Sequence, residues 1–313
     1  MIALIPRLII ALLIVLLCTV NLAFWGTLVV LTAPLKLLLP LFRQSISQFA
    51  NKLMHGWVWG NEVILKTLTP TQWHIHGLDD HLDRNGSYLL ICNHLSAIDI
   101  AVVTISLRRH VPMLKFFLKH QLLYLPFLGA ACWALNMPFM RRYNAQQLAE
   151  DPQRQGTDIE TTRRACRQFR HIPTCVINYV EGSRLTPTKH QQQQSPYTYL
   201  LKPKAGGIAL AMAVLSDQID QVLDLTLVYP GTERQILTHF LMGKLQHVTL
   251  DVATIPLSQI PQGDYHQDAA YRLQFQQWLN QRWQHKDKRI AQLLAHHQSA
   301  SQKTDLYYRL SSE

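Results

Sequence analysis

A histidine and an aspartate five positions apart, His94 and Asp99, follow an apolar run in the segment YLLICNHLSAID. A carboxylate bound to one imidazole nitrogen fixes the tautomer of the ring and stabilises the imidazolium, so the other nitrogen can remove a proton from an alcohol. With 15 histidines in 313 residues, chance alone gives on the order of one such spacing. The segment HIHGLD indeed repeats it with His74 and Asp79, so the choice between the two pairs depends on their surroundings.

His74 lies in a polar setting. The segment WHIHGLDDHLDRNGS puts His74 and His76 on one face of an alternating strand, and Asp79 belongs to the turn-rich residues after it. This pattern is typical of a solvated sheet edge. We therefore interpret His74 and Asp79 as surface residues without a catalytic role.

His94 follows the run YLLIC, which is nearly continuous in apolar residues, as expected of a strand buried on both faces. Ligands of open α/β sheets bind at the carboxyl ends of such strands. We expect Asn93 or Ser96 to cap a helix that begins in AIDIAVVTISL, with Asp99 about one turn into that helix and facing the imidazole. No G-x-S-x-G motif occurs in the chain, so the hydroxyl that His94 activates is expected to belong to a substrate.

Two further polar clusters end short apolar strands. FMRRYN contains Arg141 and Arg142, and YVEGSR contains Glu181, Gly182, Ser183 and Arg184. Arginine and serine suit phosphate oxygens, and glycine lets the backbone approach a ligand closely. An arginine after a strand is commonly a solvated strand end, so either cluster alone is weak evidence for a binding site. The occurrence of both clusters, in this order after NHLSAID, is more specific evidence.

The elements that must position these residues predict an α/β fold. Short β-branched or aromatic runs alternate with helical stretches, which indicates a mostly parallel sheet flanked by helices. The expected strands lie in WHIHGL, SYLLICNH, VPMLKFF, NMPFMRR, TCVINYVEGSR and QVLDLTLVYP, and AGGIALAMAVLSD is expected to be a buried helix. The polar segment HQQQQSPYTY, residues 190–199, is expected to be a loop.

Composition restricts the partners. The net charge is +10 and 48% of the residues are hydrophobic, which favours a sizeable core and anionic partners such as phospholipid headgroups or an acidic carrier protein. The cations are spread along the chain without a clustered stripe, so nucleic acid is not an expected partner. Five cysteines show neither CxxC nor metal-ligand spacing, which indicates a reducing compartment and predicts no metal site.

The N-terminal segment is apolar, since residues 8–35 carry no formal charge. A helix of roughly 20 such residues crosses a bilayer core, so we predict a retained membrane segment. It is either a single span or a helical hairpin that breaks near Asn21 and Gly26. Arg7 alone precedes it and several cations follow it closely, which favours the cytoplasmic side for the rest of the chain.

Three regions follow from these patterns. Residues 1–55 are expected to form the membrane anchor and an interfacial helix, residues 56–260 the α/β domain, and residues 261–313 a C-terminal helix and tail. The segment FQQWLNQRWQHKDKRIAQLLAHH is basic and amphipathic, which fits packing on the domain as well as membrane-surface binding. The final SQKTDLYYRLSSE is expected to be the tail.

Taken in order, four blocks resemble the glycerolipid acyltransferase family, which comprises 1-acylglycerol-3-phosphate and related lysophospholipid acyltransferases. NHLSAID resembles the NHxxxxD block, NMPFMRR the second block, VEGSR the third and LTLVYPG the fourth. Tyr179 and Val180 stand where the family commonly has Phe-Pro, and Ser183 replaces its Thr. With the WLNQRWQHKDK segment, the chain looks closest to the lysocardiolipin-acyltransferase-like branch.

The resemblance implies that His94 is the general base and Asp99 its partner. It implies that the glycerol-phosphate part of the acceptor is bound by Arg142, Glu181, Gly182, Ser183 and Arg184, with Lys119 as a further binding residue. It implies no metal and no cofactor, because acyl-CoA or acyl-ACP (acyl carrier protein) enters as a co-substrate.

The expected function is a membrane-bound O-acyltransferase that moves a fatty acyl group to the free hydroxyl of an anionic lysophospholipid. The expected location is a membrane, the inner membrane if the source is bacterial, with the catalytic domain on the cytoplasmic side. Two alternatives stay open at this point. One is a non-catalytic phospholipid-binding membrane protein, and the other is an acyltransferase that acts on a different amine or alcohol.

Overall fold

The structure is a computed structural model, and it describes most of the chain. The described residues are 4–79, 81–125, 127–140, 166, 169, 172–215, 217–265 and 267–311. Their helices are α1 (Leu4–Leu38), α2 (Arg43–Leu68), α3 (Asp99–Leu107), α4 (Leu128–Ala134), α5 (Pro187–Gln192), α6 (Ala205–Leu215), α7 (Ile236–Leu241) and α8 (Ala269–Ser311). Their strands are β1 (Gln72–His76), β2 (Tyr88–Cys92), β3 (Leu114–Phe116), β4 (Leu118–Lys119), β5 (Phe139–Met140), β6 (Cys175–Tyr179), β7 (Gln221–Val228) and β8 (His247–Ile255).

The central sheet has the strand order β1-β8-β7-β2-β6-β3. Every neighbouring pair in it is parallel except β7 and β8, and β4 pairs with β5 in a separate parallel ladder. The α/β class with a mostly parallel sheet is therefore confirmed, and each expected strand segment contains a strand. The sequence reading missed β8, which comes last along the chain and inserts between β1 and β7.

The apolar run that precedes His94 is buried on both faces. All residues of β2 are buried. Leu90 and Cys92 pack into the hydrophobic cluster on one side of the sheet, and Leu89 and Ile91 pack into the cluster on the other side. A strand covered on both faces requires this near-continuous apolar sequence, and its rigid surroundings fix the position of the residues that follow it.

The N-terminal helix α1 is continuous and pairs with α2 in an antiparallel hairpin. Asn21 does not break it, because its side-chain amide donates to the carbonyl oxygen of Trp57 and to Oδ1 of Asn61, at 2.9 Å each. A Cβ at Gly60 would lie 2.3 Å from Oδ1 of Asn21, so glycine allows the two helices to approach closely there. Of the two alternatives, the hairpin that breaks near Asn21 and Gly26 is wrong, because α1 is continuous and the chain reverses only after Leu38.

The outer surface of α1 and of the turn after it is apolar and exposed. Leu12 is 70% exposed, Leu38 74% and Leu41 94%. By length and composition, the helix from Ile5 to Leu38 is able to cross a membrane. Apolar exposure on this scale marks a surface that meets another apolar phase or partner.

Two buried lysines attach this hairpin to the α/β domain. Lys115 of β3 reaches α2, where Oδ1 of Asn51 accepts from its ammonium at 3.4 Å. Lys36 of α1 donates to the carbonyl oxygen of Ala134 at 2.8 Å, and Lys115 also donates to that of Leu135 at 2.7 Å. Both acceptors lie at the carboxyl end of α4, where helix carbonyls lack intrahelical partners and the helix dipole favours cations. The expected boundary between residues 55 and 56 falls inside α2, so no helix end coincides with it.

The C-terminal helix α8 packs on the domain through a buried apolar stripe that includes Phe275, Leu279 and Trp283. A buried ion pair adds to this contact, since Nζ of Lys286 lies 2.5 Å from Oδ1 of Asp224 on β7. Of the two interpretations of this segment, the structure favours packing on the domain. The helix continues to Ser311, so the expectation of a tail from residue 301 onward is wrong.

The segment 190–199 differs from the predicted loop. Its first residues are helical, because α5 extends to Gln192. The following turn is held to α8, where the carboxylate of Asp287 accepts hydrogen bonds from the backbone N–H groups of Thr198 at 2.9 Å and Tyr199 at 2.8 Å. The turn is therefore a fixed part of the domain surface.

Candidate active site

Three adjacent parallel strands bring the candidate residues to one edge of the sheet. β2 lies between β6 and β7, and it is parallel to both. His94 follows the end of β2 by two residues, Glu181 follows the end of β6 by two, and Tyr229 comes directly after β7. Because the carboxyl ends of parallel strands meet at one edge, residues that are distant along the chain become neighbours there.

His94 and Asp99 are in direct contact. Nδ1 of His94 lies 2.7 Å from Oδ2 of Asp99, and the imidazole is 17% exposed whereas the carboxylate is fully buried. A carboxylate only accepts hydrogen bonds, so Nδ1 carries the proton and Nε2 of the neutral ring is the free acceptor. The pair thus has the arrangement that a general base requires.

The carboxylate of Asp99 accepts three further hydrogen bonds. Oδ2 accepts from the backbone N–H groups of Leu95 at 2.6 Å and Ser96 at 2.9 Å, and Oδ1 accepts from the hydroxyl of Tyr229 at 2.7 Å. These donors offset the cost of burying the carboxylate and hold its plane in one orientation. Burial raises the pKa of the Tyr229 hydroxyl, and the neighbouring Asp99 raises it further, so Tyr229 stays a donor.

The local structure around Asp99 differs from the expected one. Asp99 is the first residue of α3 rather than a residue one turn into it. Asn93 does not cap that helix, since its side chain pairs with the backbone N–H and C=O of Leu227 on β7, at 2.9 Å each. Asn93 therefore fixes the end of β2 against β7. Sequence reasoning missed this role and that of Tyr229, although both stand at strand ends beside matched motif residues.

Tyr179 packs against one face of the His94 imidazole. Its ring stacks on that of His94 with centroids 4.2 Å apart and planes inclined by 24°. Burial raises the pKa of its hydroxyl, and the neighbouring thiol of Cys92 and carboxylate of Asp99 raise it further. The backbone also holds His94, because its carbonyl oxygen accepts from the N–H of Leu185 at 2.8 Å. Tyr179, which replaces the phenylalanine common in the resembled family, thus acts as a packing surface for the base.

Glu181 lies beneath the base with its side chain fully buried. Burial raises the pKa of its carboxyl to about 8, although Lys286, the indole of Trp283 and the backbone of His94 and Leu201 partly counteract that rise. Neither carboxyl oxygen of Glu181 has a hydrogen-bond partner with good geometry among the described residues. The acceptor contact that the resemblance implies for Glu181 stays a prediction, and the structure adds that this carboxyl is fully buried near the backbone of His94.

The Glu181 carboxyl makes folding stability depend on pH. Its pKa of about 8 in the folded protein exceeds the ordinary value of 4.5, so the folded state binds more protons between these values. Stability contributed by this group is therefore present at low pH and is lost as pH rises towards 8. We expect Glu181→Gln to melt within about 2 °C of wild type at pH 5.5 and several degrees above it at pH 8.5. Thermal melts across this range test the prediction, and parallel curves for the two proteins would contradict it.

The loop from Gly182 to Arg184 forms a cationic rim beside His94. Gly182 has a φ of +71°, which an L side chain rarely adopts. An atom at the Cβ position of Gly182 would lie 3.6 Å from Nζ of Lys204, so this ammonium borders the loop. Arg184 and Lys204 are exposed, while Ser183 is half-buried. Sequence reasoning missed Lys204, which follows β6 by a long connection and shares no motif with the loop.

Two expected binding residues have no described side chain. Arg142 lies outside the residues that the structure describes. The backbone of Lys119 is in β4, but its side chain also lies outside them. Their roles stay predictions.

A cavity of about 600 Å³ is lined by Leu95, which follows His94 in sequence, and by Leu185 and Tyr229, which bond to His94 and Asp99 respectively. Ile290 and Leu294 of α8 also line it. Polar groups complete the wall, namely His190, Thr198, Tyr199, Glu233 and Arg234. A cavity of this size with a mixed lining suits an amphipathic ligand.

Comparison with known proteins gives a consistent match. A family model described as acyltransferase matches residues 73–230, about half of the chain. The chain is 27% identical over 183 residues to 1-acyl-sn-glycerol-3-phosphate acyltransferase gamma of Homo sapiens. It is 26% identical over 183 residues to 1-acyl-sn-glycerol-3-phosphate acyltransferase delta of Rattus norvegicus. Both alignments cover 55% of this chain, and they cover only 44% and 43% of the two relatives.

A solved structure supports the fold. The crystal structure of the 1-acyl-sn-glycerophosphate (LPA) acyltransferase from Thermotoga maritima matches with a TM-score of 0.53 at 16% identity. The match covers 92% of this chain and 96% of that chain. At this identity the likeness concerns the architecture alone.

Proposed function

The chain belongs to the acyltransferase family, and from this premise we propose that it transfers a fatty acyl group to the free hydroxyl of a lysophospholipid. The observation that carries the proposal is the contact between His94 and Asp99, next to a mixed cavity whose lining includes Leu95 and Tyr229. The relatives named as 1-acyl-sn-glycerol-3-phosphate acyltransferases support a phosphate-bearing acceptor of the lysophosphatidic acid type. Assignment to the lysocardiolipin-like branch stays a prediction.

In the proposed reaction, Nε2 of His94 removes the proton of the acceptor hydroxyl. The hydroxyl oxygen attacks the thioester carbonyl of acyl-CoA or acyl-ACP, and the C–S bond breaks as the ester C–O bond forms. The thiol leaves with the proton that the imidazolium returns. Asp99 stabilises the imidazolium between these two steps, and its own position is fixed by Tyr229 and by two backbone N–H groups.

The acceptor phosphate is proposed to bind at the rim of Gly182, Arg184 and Lys204. The loop with Gly182 and Arg184 lies next to His94, because Leu185, which directly follows it, donates to the backbone carbonyl of His94. Holding the phosphate there places the hydroxyl near Nε2, and such orientation supplies much of the rate acceleration in group transfer. Arg142 is proposed as a further contact on the basis of the motif alone.

The protein is proposed to act at a membrane surface through α1. The exposed apolar side chains of this helix support burial in lipid, and the cations after it favour the cytoplasmic side. An inner-membrane location is proposed for a bacterial source. Lysolipid in that membrane would reach His94 without leaving the bilayer surface, because the same hairpin is anchored to the catalytic domain by Lys36.

Replacing Arg184 with alanine should raise the acceptor KM roughly 10- to 100-fold with a smaller change in kcat, since a charged hydrogen bond to phosphate is lost. Lys204→Ala should act in the same direction. Arg109→Ala is the matched control, because Arg109 is exposed beyond the far end of α3. Initial rates against lysophosphatidic acid concentration measure the effect. An acceptor KM that is unchanged in both rim variants would exclude this phosphate site.

The activity itself is tested with membranes that contain the protein, labelled acyl-CoA or acyl-ACP, and lysophospholipids with different headgroups. Transfer to one headgroup identifies the acceptor, and transfer from one donor identifies the thiol carrier. Transfer to amines or simple alcohols, with none to any lysophospholipid, would replace the proposed acceptor class. No transfer with any pair of substrates would contradict the proposed reaction.

A further inference from the structure

Three histidine rings from separate elements meet outside the His94 site. His74 lies on β1, His247 is the first residue of β8 and His297 lies on α8. One ring nitrogen from each histidine lies within 4.8 Å of the corresponding nitrogens of the other two. Ring centroids are 5.1 to 5.5 Å apart. The segment interpreted above as a solvated edge is therefore part of a half-buried histidine cluster.

The strand register explains why two of these rings share a face. β1 and β8 are parallel, with Gln72 opposite His247 and His74 opposite Thr249. Side chains of opposed residues point to the same face of a sheet, and alternate residues along each strand do so as well. His74 and His247 therefore project to one face of the sheet. Val248, which directly follows His247, points to the opposite face and packs into the core there.

Helix α8 brings the third ring to that face. Arg289 on α8 forms two contacts with the carboxylate of Asp251, at 2.6 and 2.9 Å. Two turns further along, Nε2 of His297 lies 2.9 Å from the hydroxyl oxygen of Thr249. Strands β1 and β8 and helix α8 therefore each hold one of the three rings.

The distances between the ring nitrogens fit a bound metal ion. Nε2 of His74 lies 3.3 Å from Nδ1 of His247, and nitrogen ligands of tetrahedral Zn²⁺ at about 2.0–2.1 Å stand roughly 3.3 Å apart. The neutral imidazole is the commonest metal ligand among protein side chains.

We propose that His74, His247 and His297 bind a divalent transition-metal ion, of which Zn²⁺ is the best match to imidazole ligands. An ion held by three side chains keeps a fourth tetrahedral position for water. It joins the edge of the sheet to the C-terminal half of α8. The site is independent of the proposed acyl transfer.

Metal binding at the three histidines affects the cavity described above, because α8 contributes to both. Ile290, Leu294 and Gln298 of α8 line that cavity, and His297 lies directly beside Gln298 in sequence. An ion on His297 therefore restrains the cavity wall. We expect bound Zn²⁺ to raise the melting temperature and to slow backbone hydrogen exchange over residues 285–299.

Untagged full-length protein in detergent, freed of metal by a chelator, tests the site by titration with Zn²⁺ alone. We expect about one Zn²⁺ per chain. Loss of a group that merely orients a metal ligand costs roughly 10- to 100-fold in affinity, so His247→Gln and His297→Gln should each cost at least about 10-fold. His285→Gln is the matched control, because His285 is an exposed histidine of the same helix.

Circular dichroism checks that the variants fold, and hydrogen exchange of the wild type with and without Zn²⁺ gives a second readout that needs no variant. The site is supported if Zn²⁺ binds wild type and His285→Gln with equal affinity, and His247→Gln and His297→Gln with lower affinity. Slower hydrogen exchange on α8 with bound Zn²⁺ supports it as well. Absence of stoichiometric binding would overturn it. So would equal affinity in all variants, or unchanged exchange on α8 under saturating Zn²⁺.

Discussion

His94→Ala should lower kcat for acyl transfer at least about 1000-fold, because the substrate hydroxyl then loses the base that removes its proton. The imidazole is 17% exposed and packs on Tyr179, so its removal leaves only a small, partly open space. We therefore expect the variant to stay folded. Initial rates with saturating lysophospholipid and thioester measure the effect.

The control is His81→Ala, since the His81 side chain is 88% exposed and lies in a surface loop. It should retain wild-type activity. Asp99→Asn should also lose most of the activity, because an amide can donate to Nδ1 and so stabilise the wrong tautomer. Retention of more than about one tenth of wild-type kcat in His94→Ala would contradict the assignment of the base.

Asp224→Ala should destabilise the fold by about 3–5 kcal/mol and lower the melting temperature by roughly 6–20 °C. Asp224 on β7 accepts a hydrogen bond from Arg282 at 2.9 Å and lies 2.5 Å from the ammonium of Lys286. The side chain of Lys286 is only 1% exposed, so removal of the carboxylate leaves a cation buried beside the sheet. Thermal unfolding in detergent, monitored by circular dichroism, measures this loss.

A second ion pair between α8 and the sheet provides the control. Asp251 on β8 pairs with Arg289, but the Arg289 side chain is 43% exposed and water screens the pair. Asp251→Ala should therefore cost only about 0–1 kcal/mol in metal-free protein. The double variant Asp224→Leu with Lys286→Met should recover much of the stability lost in Asp224→Ala, because no unpaired buried cation remains. Equal melting temperatures for Asp224→Ala and Asp251→Ala would disprove this account.

The stability of this contact has a consequence for function. Lys286 also lies close enough to Glu181 to lower the pKa of that carboxyl, and Glu181 lies beneath His94. Loss of the α8 contact should therefore disturb the support of the base as well as the cavity wall. For this reason activity is compared only at temperatures where Asp224→Ala remains folded.

The sequence by itself determined the class of the fold and the candidate base. A strand buried on both faces needs a run such as YLLIC, and a helix able to cross a membrane needs a long uncharged segment, so both elements are visible in local composition. His94 and Asp99 are five residues apart, and the turn between a strand and a helix is short enough to bring them into contact at 2.7 Å. These features can be predicted because each depends only on residues that are close together along the chain.

The tertiary structure decided which distant residues join them. β8 inserts between β1 and β7, and no local pattern specifies the partners of a strand. That insertion places His247 beside His74, and the docking of α8 brings His297 to both and Lys286 to Asp224. The burial of Glu181 and the approach of Lys204 to Gly182 follow from the same packing. Such contacts depend on strand order and helix docking, which are set by the whole core rather than by neighbours along the chain.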